Sequence, residues 1–274
     1  MIRPRALLTV AALALTAAVS ACGGSGTTPA GNGPAPGITP TASGSGSAGA
    51  AAGPITVLAA ASLKEAFTTI GQGFQAANPG AEVRFGFGPS SGLAAQITQG
   101  APADVFASAS ARNMEQVVAA GLAAAPRPFA KNVLQIAVPP QNPAGVRGLA
   151  DLARPGVKVA LCQPQVPCGT VATQVLSNAG LTLTPVTLEA DVKATLTKVR
   201  LGEVDAGLVY VTDVRAGGDA VRGIDIPADV NASTTYPIAA LGRSSQAATA
   251  RAFVEYVLSP QGQAVLTRAG FAAP

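Results

Sequence analysis

The sequence contains no histidine and no tryptophan, and only 4% of its residues are aromatic. Without histidine the chain cannot build a Ser-His-Asp or Cys-His catalytic group, and it lacks the commonest metal ligand. Charge is scarce as well, at 12% of residues with a formal net charge of +4. No basic cluster interleaved with aromatics occurs, so nucleic acid is not an expected partner. Cysteines number three. These absences favour a binding protein over an enzyme.

What is present begins with Arg3 and Arg5, an uncharged apolar run from Ala6 to Val19, and then Val19-Ser20-Ala21-Cys22. The run is too short to span a bilayer comfortably, and small residues precede the cysteine as at a signal-peptidase site. The expectation is a signal peptide over 1–21 and lipidation of Cys22, which resembles the bacterial lipobox. An ordinary signal peptide with an incidental cysteine is the alternative. Loss of Arg3 and Arg5 with the signal lowers the net charge from +4 to +2. Gly, Ser, Thr, Pro and Ala dominate up to Gly53, so 22–53 reads as a lipidated cysteine followed by a flexible linker.

From Ile55 onward strand-like and helix-like segments alternate, the pattern of an α/β fold with a largely parallel sheet. Ile55 to Leu58 reads as a short buried strand. Leu63, Ala66, Phe67, Ile70, Phe74 and Ala77 then line one helical face. Ser62 is the expected N-cap, with Glu65 completing a capping box. Glu82 to Phe87 forms a second strand, and a turn at Gly88 and Pro89 leads to a helix carrying Leu93 and Ile97, with Ser90 or Ser91 as its cap. Asp104 reads as a turn residue after Pro102.

Val133 to Val138 is a strand ended by Pro139 and Pro140, and Gly148 to Gly156 contains a brief helix. The segment from Val157 to Leu176 gives strand, loop and helix, with Cys162 and Cys168 bracketing the loop. In an exported protein the two are a candidate disulfide, with a reactive thiol or a metal pair as alternatives. A helix starting between Glu189 and Val192 closes at Gly202, and a strand ends in Tyr210. Thr235 to Leu241 opens the last segment, where Ser244 or Ser245 caps a helix and Pro260 starts another that Gly270 ends.

Seven motifs now stand in order: AAASL at Ala59, GPSSGLAAQI at Gly88, GAPADVF at Gly100, VPCG at Val166, EADVKATL at Glu189, GLVY at Gly207 and YPIA at Tyr236. Together they resemble the molybdate-binding proteins of bacterial ABC transporters, over essentially all of Ile55 to Phe271. The resemblance implies a type II periplasmic-binding-protein fold, two α/β lobes with a ligand cleft between them. Lobe I would comprise 54–132 and 241–274, and lobe II 133–240 including two crossover strands.

By the same resemblance a tetrahedral oxyanion is held by the hydroxyls of Ser62 and Ser90, with Ser91 as a second candidate for the Ser90 role. The backbone N–H groups of Cys168 and Val192 and the Tyr210 hydroxyl complete the set. The family loop typically has alanine where this chain has Cys168, which keeps a backbone donor. The implied function is an exported, lipid-anchored, monomeric receptor at the outer face of the cell membrane. It delivers molybdate or tungstate to an ABC permease, with no cofactor and no catalysis. A receptor for sulfate or another oxyanion, and an enzyme or sensor with Cys168 as a thiol, are the alternatives. Neutral donors and helix N-termini can hold a dianion without a salt bridge. No carboxylate is expected at the site, which disfavours a protonated phosphate.

Overall fold

The computed structural model describes residues 51–274. The signal, Cys22 and nearly all of the linker lie outside the described residues. None of the described helices is long and apolar enough to cross a membrane.

Strands β1 (Ala52–Ala60), β2 (Gly80–Gly88) and β3 (Val105–Ala107) pair in parallel, with β1 in the middle. β9 (Ser233–Ala240) adds antiparallel to β3, and β4 (Arg127–Val138) adds antiparallel to β9. β4 is the strand that joins the two halves. Its segment Arg127 to Val133 pairs with β9, while Leu134 to Ala137 pairs with β7 (Ala206–Tyr210) and Gln135 to Val138 with β8 (Arg222–Asp225). β5 (Val159–Cys162) and β6 (Thr187–Glu189) extend the second half in parallel from β7.

The first half buries both faces of its sheet, as parallel strands covered by helices do. In β1, Val57 and Ala59 face one core while Leu58 faces the other; in β3, Val105 and Ala107 are set against Phe106. The first face packs on α1 (Lys64–Ala77), α7 (Ala247–Leu258) and α8 (Pro260–Ala269), and the second on α2 (Ser90–Thr98) and α3 (Ala111–Ala119). All eight phenylalanines belong to these two cores. Phe67, Phe74, Phe85 and Phe253 meet largely edge to face, the arrangement that ring quadrupoles favour. The second half is held by an aliphatic core under α4 (Pro167–Asn178), α5 (Val192–Arg200) and the short α6 (Val211–Gly217), with Tyr210 as its one buried ring.

Several local expectations are corrected. Ser62 does not cap α1: it sits inside a single 3-10 turn, Ala61–Leu63, and Leu63 holds the cap position. Neither Ser90 nor Ser91 caps α2, whose N-cap is Pro89, so both serines lie in its first turn. Ser244 and Ser245 precede the N-cap Gln246 of α7; the Ser244 hydroxyl accepts from Gln246 N at 3.1 Å and donates to Asp104 Oδ1. Asp104 is more than a turn residue, because its Oδ2 accepts from Thr56 N at 2.7 Å and ties β1 to the loop before β3. α8 does start at Pro260 and end on Gly270 at φ +102°, a left-handed position that suits glycine. α6 and β8 carry too little periodicity to be read from the sequence.

Candidate functional site

The carboxyl ends of β1, β2, β5, β6 and β7 and the helix starts that follow them face one another where the halves meet. There they line a cavity of about 20 Å3. On the scale where about 10–15 Å3 admits one water, this is room for one compact ion.

From the first half come Ser62 and Ser90, which are 4% and 1% exposed. Ser62 Oγ lies 2.9 Å from the Tyr236 hydroxyl. Ser90 Oγ accepts from Ala109 N at 2.9 Å, so its own hydrogen is left to donate. Ser91 does not line the cavity. It lies on a wider groove with Thr98 and Arg112.

From the second half come Cys168, Val192 and Tyr210. Pro167 occupies the first position of α4, which leaves the Cys168 N–H among the free donors of the first turn. The helix can start there because residue 169 is glycine: a Cβ at Gly169 would stand 1.9 Å from the Gln163 carbonyl oxygen. Cys162 and Cys168 form a disulfide across this loop, with Cα atoms 5.8 Å apart. That removes the reactive-thiol and metal-pair readings, and the described residues contain no free cysteine.

Asp191 caps α5, its Oδ1 accepting from Lys193 N at 2.8 Å and Ala194 N at 3.0 Å. The cap does not use the Val192 N–H, and Val192 lines the cavity. Asp191 is itself among the lining residues, so the expectation of a site without a carboxylate is corrected. Its capping oxygen is committed to the helix.

Tyr210 ends β7, is 1% exposed, and its hydroxyl has no hydrogen-bond partner within the protein. Burial drives its pKa well above the ordinary value, so it stays a donor at any working pH. Its N–H donates to Asp213 Oδ2 at 3.2 Å. Asp213 is fully buried, and burial raises its pKa to about 6 against the opposing pull of Lys193. Lys193 Nζ stands 3.0 Å from Asp213 Oδ1, an ion pair not aligned as a hydrogen bond. Burial acts to lower the Lys193 pKa, but the charge of Asp213 and the hydrogen bond to Glu65 outweigh it and the net direction is up.

Of the six residues expected at the site, the cavity gathers Ser62, Ser90, Cys168, Val192 and Tyr210 and omits Ser91. Sequence reasoning missed Asp191, Lys193, Asp213 and Tyr236. Asp191 carried a readable signal, a capping aspartate just before an apolar helical face. Tyr236 lay within a motif but had no periodicity that would assign it a role. The arrangement gathers neutral hydrogen-bond donors around a small cavity with no lining cation, which suits a compact anion.

The family model for bacterial extracellular solute-binding proteins matches residues 55–272. The molybdate-binding protein ModA of Mycobacterium tuberculosis is 47% identical over 221 residues, which cover 80% of this chain and 85% of that protein. Among solved structures, the periplasmic molybdate-binding protein of Azotobacter vinelandii superposes with a TM-score of 0.71 at 22% identity. The match covers 80% of this chain and 99% of that one. The sulfate-binding protein SubI of Mycobacterium tuberculosis also gives 0.71, at 19% identity, covering 80% of this chain and 86% of its own. At these identities the two structures speak for the fold alone.

Proposed function

Because the chain belongs to the bacterial extracellular solute-binding proteins, we propose that it is the receptor that captures molybdate and hands it to an ABC permease. The observation that carries this reading is the convergence of donors on a cavity sized for one small ion. The Ser62, Ser90 and Tyr210 hydroxyls and the N–H groups of Cys168 and Val192 are the proposed oxyanion ligands. Each offers hydrogen and none carries charge, so together they match a fully ionised tetrahedral anion through charge-assisted hydrogen bonds. The 47% identity to a molybdate-binding protein supports molybdate over other anions of the same shape.

The halves of the fold act as two lobes joined through β4, and closure occurs because only the closed form offers donors from both sides at once. The receptor binds and releases its ligand unchanged and catalyses nothing. It works as a monomer, exported and tethered at the outer face of the membrane by lipid on Cys22. Mass spectrometry of the N-terminal peptide tests the tether, since a lipidated Cys22 at the new N-terminus is expected.

Thermal unfolding with molybdate, tungstate, sulfate and phosphate tests the ligand. An anion at about a hundred times its dissociation constant should add roughly 2.7 kcal/mol of stability. A shift with sulfate or phosphate and none with molybdate would sink the proposal in favour of the sulfate or phosphate reading. With no tryptophan in the chain, calorimetry is the better second method than intrinsic fluorescence.

A further inference from the structure

We infer that Tyr236 fixes the direction of the Ser62 hydroxyl, making it a positioning residue that turns Ser62 into a donor toward the bound anion. The inference rests on the receptor reading above and adds a residue that does not itself line the cavity. Ser62 is at the cavity wall, and Tyr236, fully buried in β9, stands behind it with its hydroxyl 2.9 Å from Ser62 Oγ.

Two hydroxyls in contact share one hydrogen, and the choice matters here. If Ser62 donates to Tyr236, it turns only lone pairs toward the cavity and repels an anion. If Tyr236 donates, the Ser62 hydrogen is free to point at the anion. The phenol is the more acidic hydroxyl and the better donor. Donation then runs from Tyr236 to Ser62 and from Ser62 to the cavity. Burial keeps the phenol protonated, and edge-to-face contacts with Phe129, Tyr210 and Phe271 hold its ring.

The test is a double-mutant cycle read by calorimetry with molybdate, using wild type, Ser62→Ala, Tyr236→Phe and the double variant. Tyr236→Phe keeps the ring and its packing. It is expected to weaken molybdate binding about tenfold in the wild-type background, and less than about twofold once Ser62 is alanine. Equal losses in both backgrounds, or no loss in either, overturn the inference. A second measurement needs no altered residue at 236. With 13Cζ-labelled tyrosine and only three tyrosines in the chain, the Tyr236 signal is found by difference from Tyr210→Phe and Tyr256→Phe. Molybdate should shift that signal as the phenol becomes a committed donor, whereas an unmoved signal overturns the inference. If wild-type protein binds none of molybdate, tungstate and sulfate, the receptor reading itself fails, a result the cycle cannot be confused with.

Discussion

Lys193 Nζ stands 2.7 Å from Glu65 Oε2, so a side chain rooted beside the α5 cap in one half of the fold closes an ion pair on α1 of the other. The same ammonium faces buried Asp213 in its own half. Lys193 thus pairs with one carboxylate in its own half and with one in the other.

Removing the crossing partner is expected to affect release more than capture. Glu65 is about half exposed, and exposed ion pairs contribute about 0.2–1 kcal/mol. Glu65→Gln should therefore speed molybdate release by up to about fivefold, with association little changed. The effect should shrink in high salt, where such pairs are screened. Release of radiolabelled molybdate into excess cold ligand measures it, and an unchanged rate at low salt would show that the pair does not hold the closed form.

Asp213 predicts a pH dependence of stability. Burial lifts its pKa from 3.8 to about 6 in the folded protein. A carboxyl raised in this way prefers its proton when folded, so its contribution is fully present below the unfolded value and is lost as pH rises through about 6. Two pKa units correspond to roughly 3 kcal/mol at most. Urea unfolding from pH 4 to 7 should show stability falling over this window by an amount that Asp213→Asn removes. Parallel curves for the two proteins would assign the slope to other groups.

The Cys162–Cys168 bridge closes a short loop, with a sequence separation of 6. By chain entropy such a loop contributes about 2 kcal/mol. Replacing both cysteines with alanine should cost up to that much in urea unfolding while changing molybdate affinity less than about threefold, because the donor at 168 is the backbone N–H. A loss beyond tenfold in a folded variant would mean that the bridge aims that N–H.

How much of this was legible in the sequence differs between the fold and the site. The period of Leu63, Phe67, Ile70 and Phe74 marked α1 because one face of it is buried against a sheet. Pro260 and Gly270 marked α8 because each suits one end of a helix. Ser62 was misread because a serine followed by glutamate looks like a local cap, whereas its partner, Tyr236, lies 174 residues away. Glu65 was misread for the same reason, its partner lying 128 residues away in α5. Side chains whose partners arrive through the sheet order leave no periodic trace, and the polar network behind the cavity is made of such residues.

Tyr210 separates stability from function most cleanly. Its hydroxyl is buried and without a partner in the protein, a state that costs about 1–3 kcal/mol relative to a satisfied group. Tyr210→Phe deletes the unsatisfied oxygen and keeps the ring against Tyr236. The free protein should therefore unfold at equal or higher urea concentration, by up to about 1 kcal/mol. Molybdate affinity should move the other way, falling at least tenfold, because a hydrogen bond to a charged acceptor contributes about 1.5–3 kcal/mol. A residue that only packs the core would move both measurements in the same direction or leave affinity untouched. Opposite signs in urea unfolding and calorimetry are the expected signature of a donor held ready for an anion, and a variant less stable yet equally tight would remove Tyr210 from the site.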